Sequence, residues 1–361
     1  AEAKGFGENI EIAEYTINNR PAEVLEGIYR RMPDILAVSC YIWNIEFVKA
    51  VLMDFHRICP DVPVWLGGPE VSYSAEEILK ELPFVKGVMV GEGEETFSRL
   101  VESYVNCDEG GLHNIKGTVV RTAADTIKVT PPQPILNMDA IPFAYNNLQQ
   151  FENRIIYYES SRGCPFNCSY CLSSVEKSLR FRSLDKVFAE LKFLIDNKVK
   201  QVKFVDRTFN CKHDRTLAIW NFIKDNDNGI TNFHFEISAD LLNAEELKLL
   251  ASLRPGLVQL EIGVQSANPD TLKAINRPTD MEKLKANVEA VYKVRNVHQH
   301  LDLIAGLPYE NLESFRESFK TVYDMKPDQL QLGFLKVLSG APMEGMAAEN
   351  EIIYQSAPPY E

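Results

Sequence analysis

The chain has 361 residues, more than one ordinary domain usually holds, and its 45% hydrophobic and 25% charged content is that of a globular protein with a large core. A formal net charge of −13 disfavours a general electrostatic grip on nucleic acid or on an anionic membrane. That leaves small molecules, peptides and protein partners. No run of eighteen apolar residues reads as a membrane span and no secretory signal is seen, while seven cysteines, three of them clustered, suit a reducing cytoplasm. The other four, Cys40, Cys59, Cys107 and Cys211, read as buried or incidental thiols. Both ends, Ala1-Glu2-Ala3-Lys4-Gly5 and Pro358-Pro359-Tyr360-Glu361, read as cut from a longer protein.

From Ile10 the pattern alternates strand and helix. Strands are expected at 10–17, 35–39, 62–66 and 87–90, with helices at 22–31, 45–57, 75–82 and 94–104. Such alternation implies βαβ units around a parallel sheet, whose ligands bind at the carboxyl ends of the strands. The loops there are Ser39-Cys40-Tyr41-Ile42-Trp43-Asn44, Gly67-Gly68-Pro69-Glu70 and Gly91-Glu92-Gly93-Glu94. Glycine pairs let a backbone approach a ligand closely, although each alone is also ordinary punctuation between strand and helix. Residues 117–121 and 126–130 alternate at period two and read as a β-hairpin, followed by the stiff spacer Pro131-Pro132-Gln133-Pro134. The expected domains are therefore 1–112, a hairpin and linker at 113–150, and a second domain at 151–361.

The second domain opens with a strand at 154–158 and the loop Gly163-Cys164-Pro165-Phe166-Asn167-Cys168-Ser169-Tyr170-Cys171, ahead of a helix at 184–197. Three thiolates in CxxxCxxC spacing can ligate one centre, and soft sulfur selects zinc, copper(I) or an iron–sulfur cluster. A structural zinc site needs four ligands, usually as two pairs, and the nearest later candidates are Cys211 and His213, some forty residues on. A four-iron cluster on three cysteines keeps one iron open to a substrate-like molecule. This loop, with its aromatic Tyr170 before the third cysteine, resembles the signature of the radical S-adenosylmethionine (SAM) superfamily. The resemblance implies a [4Fe-4S] cluster on Cys164, Cys168 and Cys171, with SAM on the open iron cleaved reductively to a 5′-deoxyadenosyl radical.

Further βα alternation, with strands at 202–205, 233–237, 258–262, 300–304 and 330–335, fits the partial (β/α)6 barrel of that superfamily, whose catalytic groups should cluster at the strand ends. Asp206, just past the second strand, reads as a surface ion pair or helix cap, or by the resemblance as the partner of the SAM amino group. Glu236 stands among aromatics, where a carboxylate is costly to bury without a partner. The resemblance assigns it, with Tyr170, Gln265, Ser266 and Gly306, to the SAM pocket. Arg277 reads equally as a carboxylate partner or a solvated arginine. His56, His113, His213, His234, His298 and His300 show no ligand spacing and read as surface or packing residues.

With the cluster loop downstream, the order strand, Leu-Gly-Gly-Pro-Glu, helix, strand, Gly-Glu-Gly-Glu resembles the Rossmann-like cobalamin-binding domain that precedes the barrel in one branch of this superfamily. Its corrinoid contacts would fall on Ser39, Tyr41, Trp43, Gly67, Gly68, Glu70, Gly91 and Gly93. The fold expected is thus α/β, a parallel-sheet cobalamin-binding domain followed by a radical SAM barrel. The activity implied is radical chemistry on a small-molecule or peptide substrate, with methyl transfer to an unactivated carbon if cobalamin binds. An electron donor such as flavodoxin or ferredoxin would supply the reducing equivalent. Two alternatives remain: a radical SAM enzyme whose first domain serves recognition only, and a non-enzymatic metal-binding scaffold.

Overall fold

The computed structural model describes residues 1–175 and 178–361. The chain divides into two compact units, Ala1–Leu136 with Gln355–Tyr360, and Asn137–Tyr354 with Glu361. Among the described residues no helix is long and apolar enough to cross a membrane.

The first unit is built on a five-stranded sheet. Its strands are β1 (Leu36–Ser39), β2 (Val64–Gly67), β3 (Val85–Met89), β4 (Thr118–Arg121) and β5 (Ile127–Val129), in that spatial order. β1 to β3 pair in parallel, as crossover helices require, and β4 and β5 add on antiparallel. The hairpin assigned to the linker therefore belongs to this sheet, because Val119 and Val120 find partners on β3. The helices are α1 (Pro21–Arg31), α2 (Ile45–Ile58), the short α3 (Pro69–Ser72), α4 (Ala75–Glu81), α5 (Gly93–Val105) and α6 (Glu109–Leu112). Val48, Val51, Leu52 and Phe55 of α2 fall at helical spacing and are all buried against the sheet. Trp65 is fully buried, and its indole N–H donates to the Tyr104 hydroxyl at 2.9 Å.

The strand expected at 10–17 is not formed. Its apolar residues alternate, but the segment takes part in no ladder, and Ile12 is 85% exposed. Alternation marks a face, whereas a strand also needs a neighbouring edge.

The second unit carries a six-stranded parallel sheet in the order β13 (Gln329–Phe334), β12 (His298–Ala305), β11 (Val258–Gln265), β10 (Asn232–Ile237), β9 (Gln201–Phe204) and β6 (Ile156–Tyr158). Each step across the sheet follows chain order, as successive βα units produce. The helices are α7 (Leu184–Asp196), α8 (His213–Asp225), α9 (Ala244–Ala251), α10 (Pro269–Ala274), α11 (Met281–Val294), α12 (Leu312–Asp324) and α13 (Pro342–Met346). Val258, Leu260, Ile262 and Val264 alternate into the core, where Phe204, Phe233, Phe235 and Trp220 are buried with them. The residues between them face the opposite side, which carries the polar groups. A two-stranded ribbon, β7 (Ser161–Arg162) with β8 (Arg180–Phe181), closes the cysteine loop at its base.

Candidate functional site

The cysteine loop leaves β6 through Ser160 and Ser161 and returns through β8. Gly163 has φ +93°, and a Cβ there would meet the Ser178 carbonyl oxygen at 2.6 Å, so the turn into Cys164 requires glycine. The loop is then pinned at three places. Ser169 N–H donates to the Ile275 carbonyl at 2.9 Å, Asn276 Nδ2 to the Asn167 carbonyl at 3.0 Å, and Met343 N–H to the Ser169 carbonyl at 2.8 Å.

Cys164, Cys168 and Cys171 are all free thiols, and Cys168 is buried. Burial pushes the Cys164 thiol up, and charge on Cys171 and Cys168 pushes it further. Three thiolates held this close repel one another unless a cationic centre binds them. Part of the compensation is present: Arg277 places Nη1 3.5 Å from Cys168 Sγ and 3.3 Å from the Tyr170 hydroxyl, while Nη2 donates to the Gly263 carbonyl. Arg277 is thus neither a carboxylate partner nor solvated. Its place beside the thiols depends on the chain path after α10, which spacing does not reveal. The soft donors and adjacent guanidinium fit an iron–sulfur cluster, whose ligands are cysteine thiolates.

The residues expected around SAM separate into two groups. Tyr170 stands beside the cluster loop, and its phenol is pushed up, chiefly by burial. Glu236 is half-buried at the end of β10, where burial raises its carboxyl and Arg207 partly offsets that. Gln265 has φ +72° at a register shift in β11, a bulge that turns its side chain back over Gly263. Gly306 has φ +90°, with Leu335 Cβ 3.7 Å from where its own would be.

Asp206 and Ser266 form the second group, and their surroundings correct the expectation. Asp206 is 1% exposed, and its oxygens accept from Ser160 N–H at 2.8 Å, Ser160 Oγ at 2.7 Å and Ser161 Oγ at 2.6 Å. Burial raises its carboxyl while these serines oppose the rise. It buttresses the entry to the cysteine loop, with both oxygens already engaged by the serines. Ser266 is fully buried, donates to Glu310 at 2.6 Å and accepts from Asn268 N–H at 3.0 Å. It fastens the turn into α10.

Further down the same polar face of the sheet lies a group that sequence reasoning missed. Lys203 and His234 are register neighbours, as are Glu236, Glu261 and His300, with Asp302 one step on beside Gly263. His234 and His300 are therefore not packing residues but buried members of a charged layer. Contacts from His234 and Lys203 hold the Glu261 carboxyl down to about 2, whereas burial and then Glu261 push Asp302 up to about 7. The available signal was polar residues alternating with core residues in Phe233-His234-Phe235-Glu236 and His300-Leu301-Asp302.

In the first unit a cavity of about 1730 Å3 opens beside the carboxyl ends of β1 to β3. Ser39, Tyr41, Trp43, Gly67, Gly68, Gly91 and Gly93 all line it. The Tyr41 and Trp43 rings stack, with centroids 4.5 Å apart and 9° between planes, and Trp43 is 63% exposed. Gly68 has φ +107°, and a Cβ there would collide with the Cys40 carbonyl. Gly91 and Gly93 face open space. Glu70 is not among the lining residues; its carboxylate accepts from the Tyr360 hydroxyl at 2.5 Å. The concave shape, exposed aromatics and close backbone fit a large flat ligand such as a corrin.

Comparison with known proteins finds a match for each of the two domains. Residues 158–322 match the radical SAM superfamily, and residues 1–101 match the B12 binding domain. The chain therefore carries a radical SAM domain with a B12-binding domain ahead of it. The group expected on its cysteines is accordingly a [4Fe-4S] cluster with SAM, and on its first domain cobalamin.

Among the relatives, an uncharacterized methyltransferase of Pyrococcus horikoshii is 26% identical over 335 residues, covering 89% of this chain and 71% of the relative. The cobalamin-dependent radical SAM methyltransferase TokK of Streptomyces tokunonensis is 25% identical over 353 residues, covering 89% of this chain and 49% of TokK. The radical SAM methyltransferase TsrM of Kitasatospora setae, solved with cobalamin and a [4Fe-4S] cluster, shares the fold at TM-score 0.73 and 17% identity, over 92% of this chain and 67% of TsrM. The chain thus spans about half to seven-tenths of the length of these proteins.

Proposed function

We propose that the protein is a cobalamin-dependent radical SAM methyltransferase that methylates an unactivated carbon of a small-molecule or peptide substrate. The observation that carries the reading is one large cavity collecting seven of the eight expected corrinoid contacts, in a chain that also holds three free thiols in the cluster loop. When bound, the cluster and cobalamin supply reductive SAM cleavage and a transferable methyl group.

The chain's own residues bind, orient and shield. Cys164, Cys168 and Cys171 ligate, and the half-buried Arg277 places positive charge against Cys168, which stabilises the thiolate form. Tyr170, Glu236, Gln265 and Gly306 border the space for SAM, Glu236 as a carboxylate acceptor for hydroxyl or amino hydrogens. Asp206 fixes the loop from beneath through its three serine hydrogen bonds. Stacked Tyr41 and Trp43 offer an apolar face to the corrin, and Gly67, Gly68, Gly91 and Gly93 let the backbone approach it. Electrons would come from a small reduced carrier of the flavodoxin or ferredoxin type.

Anaerobic incubation of the cluster-loaded protein with SAM, cobalamin and a low-potential reductant tests the reading. SAM should be consumed to both S-adenosylhomocysteine and 5′-deoxyadenosine, the first appearing only when cobalamin is present. Formation of 5′-deoxyadenosine alone, unaffected by cobalamin, would return the first domain to a recognition role.

A further inference from the structure

The polar layer of the barrel sheet brings together groups that ion pairing alone leaves badly matched. Glu261, His300 and Asp302 each offer a ligand atom, and these atoms lie within 4.8 Å of one another. His300 Nε2 is 3.1 Å from Asp302 Oδ1, and His234 Nε2 is 2.8 Å from Glu261 Oε2. Both imidazole side chains are more than nine-tenths buried, 9% and 8% exposed respectively. Despite the short distances, neither Nε2 has hydrogen-bond geometry to a partner, and neither does Asp302 Oδ1.

An unprotonated ring nitrogen and a carboxylate oxygen both present lone pairs, so each of these pairs needs a proton or a cation between its members. Lys203 Nζ, 2.9 Å from Glu261 Oε2, is the one lysine in these rows, against three carboxylates, Glu236, Glu261 and Asp302. Asp302 pairs in register with Gly263, over which the Gln265 amide folds back. Glu261 precedes Gln265 by four residues on β11, roughly 13 Å at strand rise.

We propose that this layer is a divalent-cation site, with His300 Nε2, Asp302 and Glu261 as ligands. One imidazole and two carboxylates, with positions left for water, suit a first-row divalent ion such as Mn2+, Fe2+ or Zn2+. Lys203 then acts as the counter-cation that holds Glu261 when the metal is absent. The site requires neither cobalamin nor SAM, so its success or failure is separate from that of the methyltransferase reading.

Mn2+ is the probe, because it favours nitrogen and oxygen over the thiolates, which the loaded cluster already occupies. Titration of the oxidised, cluster-loaded protein, followed by loss of the free-ion EPR signal, should show one equivalent bound. Electron spin-echo modulation of that bound ion should show 14N coupling from imidazole. His300→Ala and Asp302→Asn should each weaken uptake by at least about tenfold, a loss seen even for groups one step removed from a metal. Cluster content provides the check that these variants fold. No stoichiometric uptake by the unaltered protein, uptake without 14N coupling, or uptake unchanged in folded variants would each overturn the site and leave protons as the bridging charge.

Discussion

Replacing Cys168 by alanine is expected to abolish the cluster's visible absorption and SAM cleavage together, while cobalamin retention stays intact. Cys168 is the most enclosed of the three ligands and the one that Arg277 touches. Its loss removes one of only three protein bonds to the cluster, and neighbouring Ser169 and Tyr170 offer no thiol to replace it. Iron and sulfide analysis of the purified variant, with 5′-deoxyadenosine assayed under reductant, reads the effect. Cleavage at more than a small fraction of the unaltered rate would contradict the ligand assignment.

The second large effect is on folding. Arg182 and Glu190 form a buried pair, 6% and 11% exposed, that ties the first turn after β8 to α7. Arg182 Nε is 2.8 Å from Glu190 Oε2, and Nη1 and Nη2 donate to the Met138 and Ile141 carbonyls at 2.6 and 2.9 Å. Glu190 also accepts from the Tyr158 hydroxyl at 2.7 Å, and burial together with that carboxylate pushes the phenol far up. Replacing Arg182 by methionine leaves a carboxylate and two carbonyls without their cation. The expected cost is about 3–5 kcal/mol, the range for breaking a buried ion pair by removing one partner. Denaturant unfolding of the cluster-free protein measures it. The double replacement Arg182→Met with Glu190→Leu should recover much of the loss, because it removes the stranded charge. A loss below about 1 kcal/mol in the single variant would show that the pair is not a framework contact.

What the sequence made legible was whatever is local. The cysteine spacing, the glycine turns and the alternation of Val258 to Gln265 each specify their surroundings within a few residues, and the structure has them where expected. Misreadings arose where the deciding partner is distant in the chain. Asp206 follows a strand as a ligand-binding acid would, yet Ser160 and Ser161, over forty residues earlier, take its oxygens. Ile10 to Ile17 alternates as a strand does but has no edge to pair with. Arg277 read equally as a carboxylate partner or a solvated arginine, and only the approach of α10 to the cysteine loop puts it against sulfur. His300 and Asp302 acquired meaning only when β10, β11 and β12 set them in register with Glu236 and Glu261.

On the proposed function, one chain serves both a cluster and a corrinoid. The most direct measurement is anaerobic incubation of the cluster-loaded full-length protein with hydroxocobalamin, followed by gel filtration and visible absorption. Retention of one cobalamin per chain, lost when Gly68 is replaced by valine in protein that keeps its cluster, is the predicted result. Elution without cobalamin at micromolar ligand would contradict the claim and make the cavity beside Tyr41 and Trp43 a site for something else.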